Sequence, residues 1–503
     1  MKSKKKYHLY ESAFHEDTFS IREWQLLAEQ NKLRSGSDIP DSMALLRHQD
    51  SGFFFGKGDM FGPGYYVGKS QDQDGHILVM GGAGSYKTSA IALPTLATWR
   101  STSIVIDVKA TGEFSAYLHR ANRHNGKSLK VFNPLHEDSC GYDPYALLRS
   151  GGEENLVRNA MELALAILPL PIDLKEPVWI KSAQSLLIAA ILYHFHLGAT
   201  FIQTMVAIQL ASVEGLVTEI MQGESIAAKM FAGKLRDLKD QVLAGLGMEL
   251  LRLTIFATDP LVQSALVEKK STDMINWELL NNSSEPCDIV LQIPENKLEQ
   301  WEPMTTLIIN QLIKTLERRA DKHSDEGRNL PPILILLDEF PRLGKLDAIK
   351  SGLATLRSRG VTFALFMQSL AQIDELYGVS ARQVIFDNCP YKAILGADDA
   401  DTREYFSRLV GSMKVGARGI SASYIPETRE ATSFNRQINE SIEPIIFPHE
   451  FGALEKNMIL VTPTGFYRVK KTPYFGNGSS ILPDHQNEQK TIQPLEALTY
   501  EYR

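Results

Sequence analysis

The chain has 503 residues, more than one average domain, and its 44% apolar content excludes wholesale disorder. A formal net charge of −7 argues against a generally basic nucleic-acid coat, although it leaves room for a local basic channel. Three scattered cysteines, Cys140, Cys287 and Cys389, form no CxxC pair and read as reduced thiols of a cytosolic protein.

The opening, MKSKKKYHLYESAFHED, is basic at Lys2, Lys4, Lys5 and Lys6 but lacks the apolar core of a secretory signal. Its pattern predicts an amphipathic helix over 21–33, with Trp24, Leu26 and Leu27 on the buried side. Glycines and aromatics at 51–75 predict short strands and turns. Positions 77–80, ILVM, then form an apolar run long enough for a buried strand. GGAGSYKT follows at 81–88 and reads, except at Tyr86, as the phosphate loop GxxxxGK[ST]. Gly81, Gly82 and Gly84, with Ala83 and Ser85, allow backbone N–H groups to curl around phosphate oxygens. Lys87 is placed to set its ammonium against β- and γ-phosphates, and Thr88 to offer a hydroxyl to Mg²⁺. A helix starting near Lys87 adds its positive N-terminal dipole. The alternative is a glycine turn followed by a chance Lys-Thr.

Apolar runs at 103–107 and 129–132, with helical patterns between, predict βαβ units and a mostly parallel sheet. From about 153 to 273 the strand signal disappears and helix formers dominate, with balanced charge and no basic stripe. The most apolar stretch there, 182–195, carries Gln184 and His194. It falls short of the ~18 continuous apolar residues of a membrane span and reads as a buried helix. Strand pattern returns at 289–293, followed by a helix over 303–319. ILILL at 333–337 then ends in Asp338-Glu339, the Walker B arrangement. Asp338 is the candidate Mg²⁺ ligand, and Glu339 the candidate base that orients or deprotonates the attacking water. Both motifs in this order point to a nucleoside triphosphatase that uses Mg²⁺. Further strands are predicted at 361–367, 391–395, 458–462 and 466–471, and a flexible polar tail at 476–503.

The strand at 361–367 ends in Gln368-Ser369, within QSLAQIDELYG. With ILLDEFPRLG before it and NCPYKAILGADDADTREYFSRLVG after it, the set resembles the type IV secretion coupling proteins. These are the TraG-like ATPases of bacterial conjugation, within the FtsK/HerA class of ring-forming DNA motors. The resemblance runs from about 53 to 475. It implies an α/β fold: a RecA-like P-loop domain with a mostly parallel sheet and an inserted all-α domain. The implied division is an N-terminal extension at 1–50, a nucleotide-binding domain at 51–152 and 274–475, an all-α domain at 153–273 and the tail at 476–503.

Residue by residue, the resemblance gives Lys87, Thr88, Asp338 and Glu339 the roles above. It makes Gln368 a polar sensor near the γ-phosphate. It makes Arg357, which shares LRSRG with Arg359, the group that acts on the neighbouring subunit's nucleotide. Both arginines read equally as solvated residues at a helix end. Asp107 and Glu113, in DVKATGE, lie near the family's Asp-x-Lys-Gly-Glu region, here interrupted by two extra residues. Arg468, Lys470 and Lys471 are basic residues near the implied channel exit, and read at least as well as a solvated strand end. The resemblance also implies a homo-hexameric ring that delivers DNA, through a relaxase–DNA complex, to a type IV secretion channel. The expected location is cytoplasmic, at the inner face of the bacterial cell membrane, reached through partners. Two alternatives stay open: a generic DNA motor of the same class, and a weakly hydrolysing adaptor that recruits protein substrates.

Overall fold

A computed structural model describes residues 34–35, 52–57, 64–67, 75–169, 178–236, 238, 240–267, 269, 273–282, 285–424, 431–463 and 465–475. The helix expected at 21–33 and the tail at 476–503 lie outside the described residues. The strands are, in chain order, β1 (Arg34–Ser35), β2 (Phe53–Lys57), β3 (Gly64–Val67), β4 (Ile77–Met80), β5 (Ser103–Asp107), β6 (Ser128–Phe132), β7 (Gly141–Tyr142), β8 (Met274–Ile275), β9 (Cys287–Gln292), β10 (Ile333–Asp338), β11 (Val361–Met367), β12 (Tyr391–Ile394), β13 (Ser412–Tyr424), β14 (Ala431–Pro444), β15 (Asn457–Thr462) and β16 (Gly465–Lys470).

Twelve of them form one sheet, ordered β3-β2-β16-β15-β12-β4-β11-β10-β5-β9-β6, with β1 beside β16. From β12 to β6 every pairing is parallel, and from β12 outward through β15, β16, β2 and β3 every pairing is antiparallel. The parallel part explains the unbroken apolar runs. β4 and β10 are buried at every position because helices cover both faces. Side chains alternate between two cores, as the two-residue period of a strand requires. Leu78, Met80, Ile335 and Leu337 enter one cluster, which also holds Leu163 and Leu187 of the helical block. Ile77, Val79, Leu334 and Leu336 enter the other, with Leu93 and Leu118.

The stretch between β7 and β8 is helical, as its composition predicts. Its helices include Leu156–Ile167, Val178–His196, Phe201–Leu210, Val213–Gln222 and Asp240–Thr254. Thr200 and Gln203 close a capping box at the start of Phe201–Leu210. β7 and β8 pair in parallel, Gly141 with Met274 and Tyr142 with Ile275, so the chain enters and leaves the block side by side. Residues 182–195 lie in the helix Val178–His196, where Leu186, Leu187, Ala190 and Ile191 are fully buried. Among the described residues one helical stretch, Gln241–Thr258, has the length and apolar content of a membrane crossing, and 33% of it is buried in the fold. β13 and β14 form a separate hairpin that is not among the expected strands.

His76, immediately before β4, is fully buried. Burial is the main cause that pushes its pKa from 6.5 down to about 4; the Leu353 carbonyl opposes the shift and the charge of Arg357 adds to it. The native pKa lies below the unfolded one, so the unfolded chain binds more protons between these values, and stability is lost as pH falls through this window. Between pH 7 and pH 5 the unfolding free energy is expected to drop by ~2 kcal/mol more in the wild type than in His76→Gln, as urea titrations at the two pH values will measure.

Candidate nucleotide site

The site lies at the C-terminal ends of the parallel strands. β11 runs between β4 and β10, so the ends of all three strands meet. The main chain ties them: Gly81 N donates to Met367 O at 3.1 Å. The phosphate loop turns from β4 into a helix that begins as a π-helical turn, Lys87–Ala92, and continues as Leu93–Thr98. Gly84 and Tyr86 carry the turn with φ of 74° and 73°. This left-handed backbone suits glycine and costs a tyrosine of order 1–3 kcal/mol. The Tyr86 side chain is 49% exposed, at the mouth of the loop. Gly82 has a different reason to be glycine: a Cβ there would collide with the Asp398 carboxylate, which follows β12.

Lys87 is buried and folds back over the loop, where its ammonium donates to Gly81 O at 2.5 Å and Gly82 O at 3.2 Å. Burial lowers its pKa, and the charges of Glu339, Asp338 and Asp398 oppose that shift. Thr88 Oγ1 donates to Asp338 Oδ1 at 3.5 Å. Asp338 Oδ2 is buried and is ion-paired with Lys109 Nζ at 3.3 Å. A hydroxyl beside a buried carboxylate is an oxygen set that fits a hard cation such as Mg²⁺. Glu339 has φ 63°, and this left-handed backbone departs from the strand geometry of β10. Its carboxylate accepts from Gln368 Nε2 at 2.7 Å, and Gln368 N in turn donates to Gln372 Oε1 at 3.0 Å. The expected residues of the phosphate loop, Asp338, Glu339 and Gln368 are therefore together.

Two further residues belong to the cluster and escape the sequence reading. Lys109 reaches both Asp338 and Glu339, at 3.3 and 3.9 Å. Burial alone would lower its pKa, but the carboxylates of Asp338, Glu339 and Asp107 prevail and raise it. Asp107 orients it by accepting from the backbone N–H groups of Lys109 and Ala110, at 3.1 and 3.0 Å. The signal was present in DVKATGE, but the two extra residues form a turn with Ala110 and Gly112 at positive φ and obscure the pattern. Asp107 and Glu113 both have pKa values raised by burial and, less strongly, by the Asp338 charge; in Asp107 backbone N–H groups oppose the rise. Asp398, the second, sits against Gly82.

Arg357 and Arg359 are not in this cluster. They occupy the 3₁₀ turn Leu356–Arg359 at the opposite end of β11, roughly 20 Å from Gln368 along the strand. Lys470 is at the same end of the sheet as the phosphate loop, because Asn457 pairs with Lys470 and Ile394 with Ile459. The chain beyond it returns to the phosphate-loop helix, where Tyr474 N donates to Ser89 O at 2.9 Å. Arg468 lies two residues back on β16, and Lys471, half-buried, has its pKa lowered by burial.

Residues 43–497 match the family described as Type IV secretory system Conjugative DNA transfer. The chain belongs to that family. Protein VirD4 of Agrobacterium fabrum is 24% identical over 426 residues, which cover 80% of this chain and 59% of VirD4. Conjugal transfer protein TraG of Escherichia coli is 24% identical over 424 residues, covering 77% of this chain and 65% of TraG. The chain thus spans about three-fifths of the length of these curated relatives. The bacterial conjugative coupling protein TrwBdeltaN70 superimposes with a TM-score of 0.61 at 14% identity, covering 86% of this chain and 91% of that one. TrwB in complex with the ATP analogue ADPNP gives a TM-score of 0.59 at 16% identity, over 79% of this chain and 85% of that one. These likenesses establish the RecA-like P-loop fold for the conjugative-transfer chain.

Proposed function

We propose that this chain is an ATPase motor that couples hydrolysis to delivery of DNA or a nucleoprotein into a type IV secretion channel. The observation that carries the reading is the Glu339–Gln368 pair, held 2.7 Å apart beside a phosphate loop and the Thr88–Asp338 pair. Family membership supports the coupling role, and TrwB has been seen with ADPNP and with ADP and Mg²⁺. Lys87 and the loop amides would hold the phosphates, and Thr88 and Asp338 would hold Mg²⁺. The metal would supply positive charge to the phosphates. Glu339 takes the proton from the attacking water at its carboxylate oxygen, and Gln368 keeps that carboxylate aimed. Arg357 acts on the nucleotide of a neighbouring subunit, which requires a ring; a homo-hexamer is the proposed form. The proposed domain division is the one expected at 51–152, 153–273 and 274–475. The proposed location is the inner face of the bacterial cell membrane. The deciding experiment is ATP turnover with and without DNA: stimulation by DNA supports the motor, and DNA-indifferent slow turnover supports the recruiting adaptor instead.

Lys87 tests the cradle separately from the chemistry. A charge-assisted hydrogen bond contributes roughly 1.5–3 kcal/mol, so Lys87→Ala is expected to weaken ATP binding roughly 10- to 100-fold and to depress hydrolysis with it. Titration with a fluorescent nucleotide measures the first effect and phosphate release the second.

A further inference from the structure

We infer that His76 is a positioning residue for Arg357: a buried clamp that holds the arginine turn in register with the phosphate-loop strand. The inference rests on the proposal that Arg357 acts on a neighbouring subunit's nucleotide. His76 sits directly before β4, whose other end is the phosphate loop. Its imidazole uses both nitrogens on main chain. Nε2–H donates to Leu353 O at 2.9 Å, and Nδ1 accepts from Phe363 N at 3.0 Å. Those two residues bracket the turn Leu356–Arg359 and Gly360, whose φ of 72° ends it.

Each contact fills a gap that regular structure leaves. Leu353 lies in the last turn of the helix Asp347–Thr355, where carbonyls run out of helical partners. Phe363 lies one residue before the β11–β4 ladder begins, at Ala364 with Ile77. The ring is also packed edge-on against Phe363, with centroids 5.2 Å apart. The acceptor at Nδ1 and donor at Nε2 demand one neutral tautomer, because a second ring proton would confront the Phe363 N–H. The turn that carries Arg357 is therefore fastened at both ends to the residue that starts β4. β4 is four residues long and wholly buried, so it joins the clamp to the phosphate loop without slack. A subunit's own nucleotide site is in this way tied to the arginine it presents to the next.

The test compares His76→Leu, which cannot make either hydrogen bond, with His76→Gln, whose amide can accept and donate. His76→Leu is expected to bind ATP as the wild type does but to turn it over at least 10-fold more slowly. His76→Gln is expected to recover most of that rate. The double variant His76→Leu/Arg357→Ala should be no slower than Arg357→Ala alone, and mixing His76→Leu with Lys87→Ala subunits should restore turnover. Wild-type turnover in folded His76→Leu overturns the inference, as does a loss that multiplies with that of Arg357→Ala. If His76→Leu does not fold, the same comparisons are made with His76→Asn, which keeps an acceptor for Phe363 N alone. Full turnover in Arg357→Ala by itself is the separate result that removes the in-trans reading, and the inference with it.

Discussion

Glu339→Gln is expected to bind ATP normally and to lose roughly 10²–10⁴-fold in turnover, the range attributed to a positioned general base. The substitution keeps the shape of a side chain that is almost wholly buried. Its Oε1 can still accept from Gln368 Nε2, so the contact at 2.7 Å survives. What disappears is the carboxylate proposed to take the proton of the attacking water. The left-handed backbone at Glu339 supports a functional reading, since strain at a strand end persists where it aims a group. Binding by nucleotide titration and turnover by phosphate release separate the two steps. Wild-type turnover in Glu339→Gln would take this residue out of the chemistry.

Arg357→Ala is expected to bind ATP near-normally and to hydrolyse it roughly 10³–10⁵-fold more slowly, the contribution of an arginine supplied in trans. The position fits action on a neighbouring subunit's nucleotide, because β11 separates Arg357 from Gln368 along its whole length. The arginine is exposed, as a group offered to a neighbour must be. Mixed rings give the sharper result. A Lys87→Ala subunit has no working cradle but an intact arginine, and an Arg357→Ala subunit has the reverse, so mixing two inactive proteins should recover activity. Mixtures that stay inactive at every ratio, with mixed rings demonstrated, would assign Arg357 to action in cis or to folding alone. The same experiment on Arg359→Ala decides between the two arginines of LRSRG.

The central strands were legible because parallel strands covered on both faces need continuous apolar runs: ILVM, SIVID, ILILLD and VTFALFM say so directly. The core of the site was legible for the same reason, since its residues stand where those runs stop. What sequence spacing does not carry is strand order. Nothing in the chain announces that β11 inserts between β4 and β10, and that insertion is what brings Gln368 onto Glu339. Lys109 stayed hidden because a two-residue turn broke a familiar spacing, and Asp398 because its partner, Gly82, lies more than three hundred positions earlier. The hairpin of β13 and β14 stayed hidden because the alternation of β13 slips at Arg418-Gly419, and β14 is mostly polar, with large apolar residues only at Phe434, Ile438 and Ile442.

That hairpin also says something about how such a chain can change over time. Ile445 N donates to Gly411 O at 3.0 Å, so the main chain is already closed at the hairpin's root. Two strands of 13 and 14 residues extend from that point, roughly 40 Å at strand rise, and pair only with each other among the described residues. Adding or removing rungs in pairs therefore leaves the register of the twelve-stranded sheet untouched, and each doubling of such a loop adds only about 0.6 kcal/mol of closure entropy. The root is a place where a segment can be lengthened, shortened or replaced while the twelve-stranded sheet stays as it is.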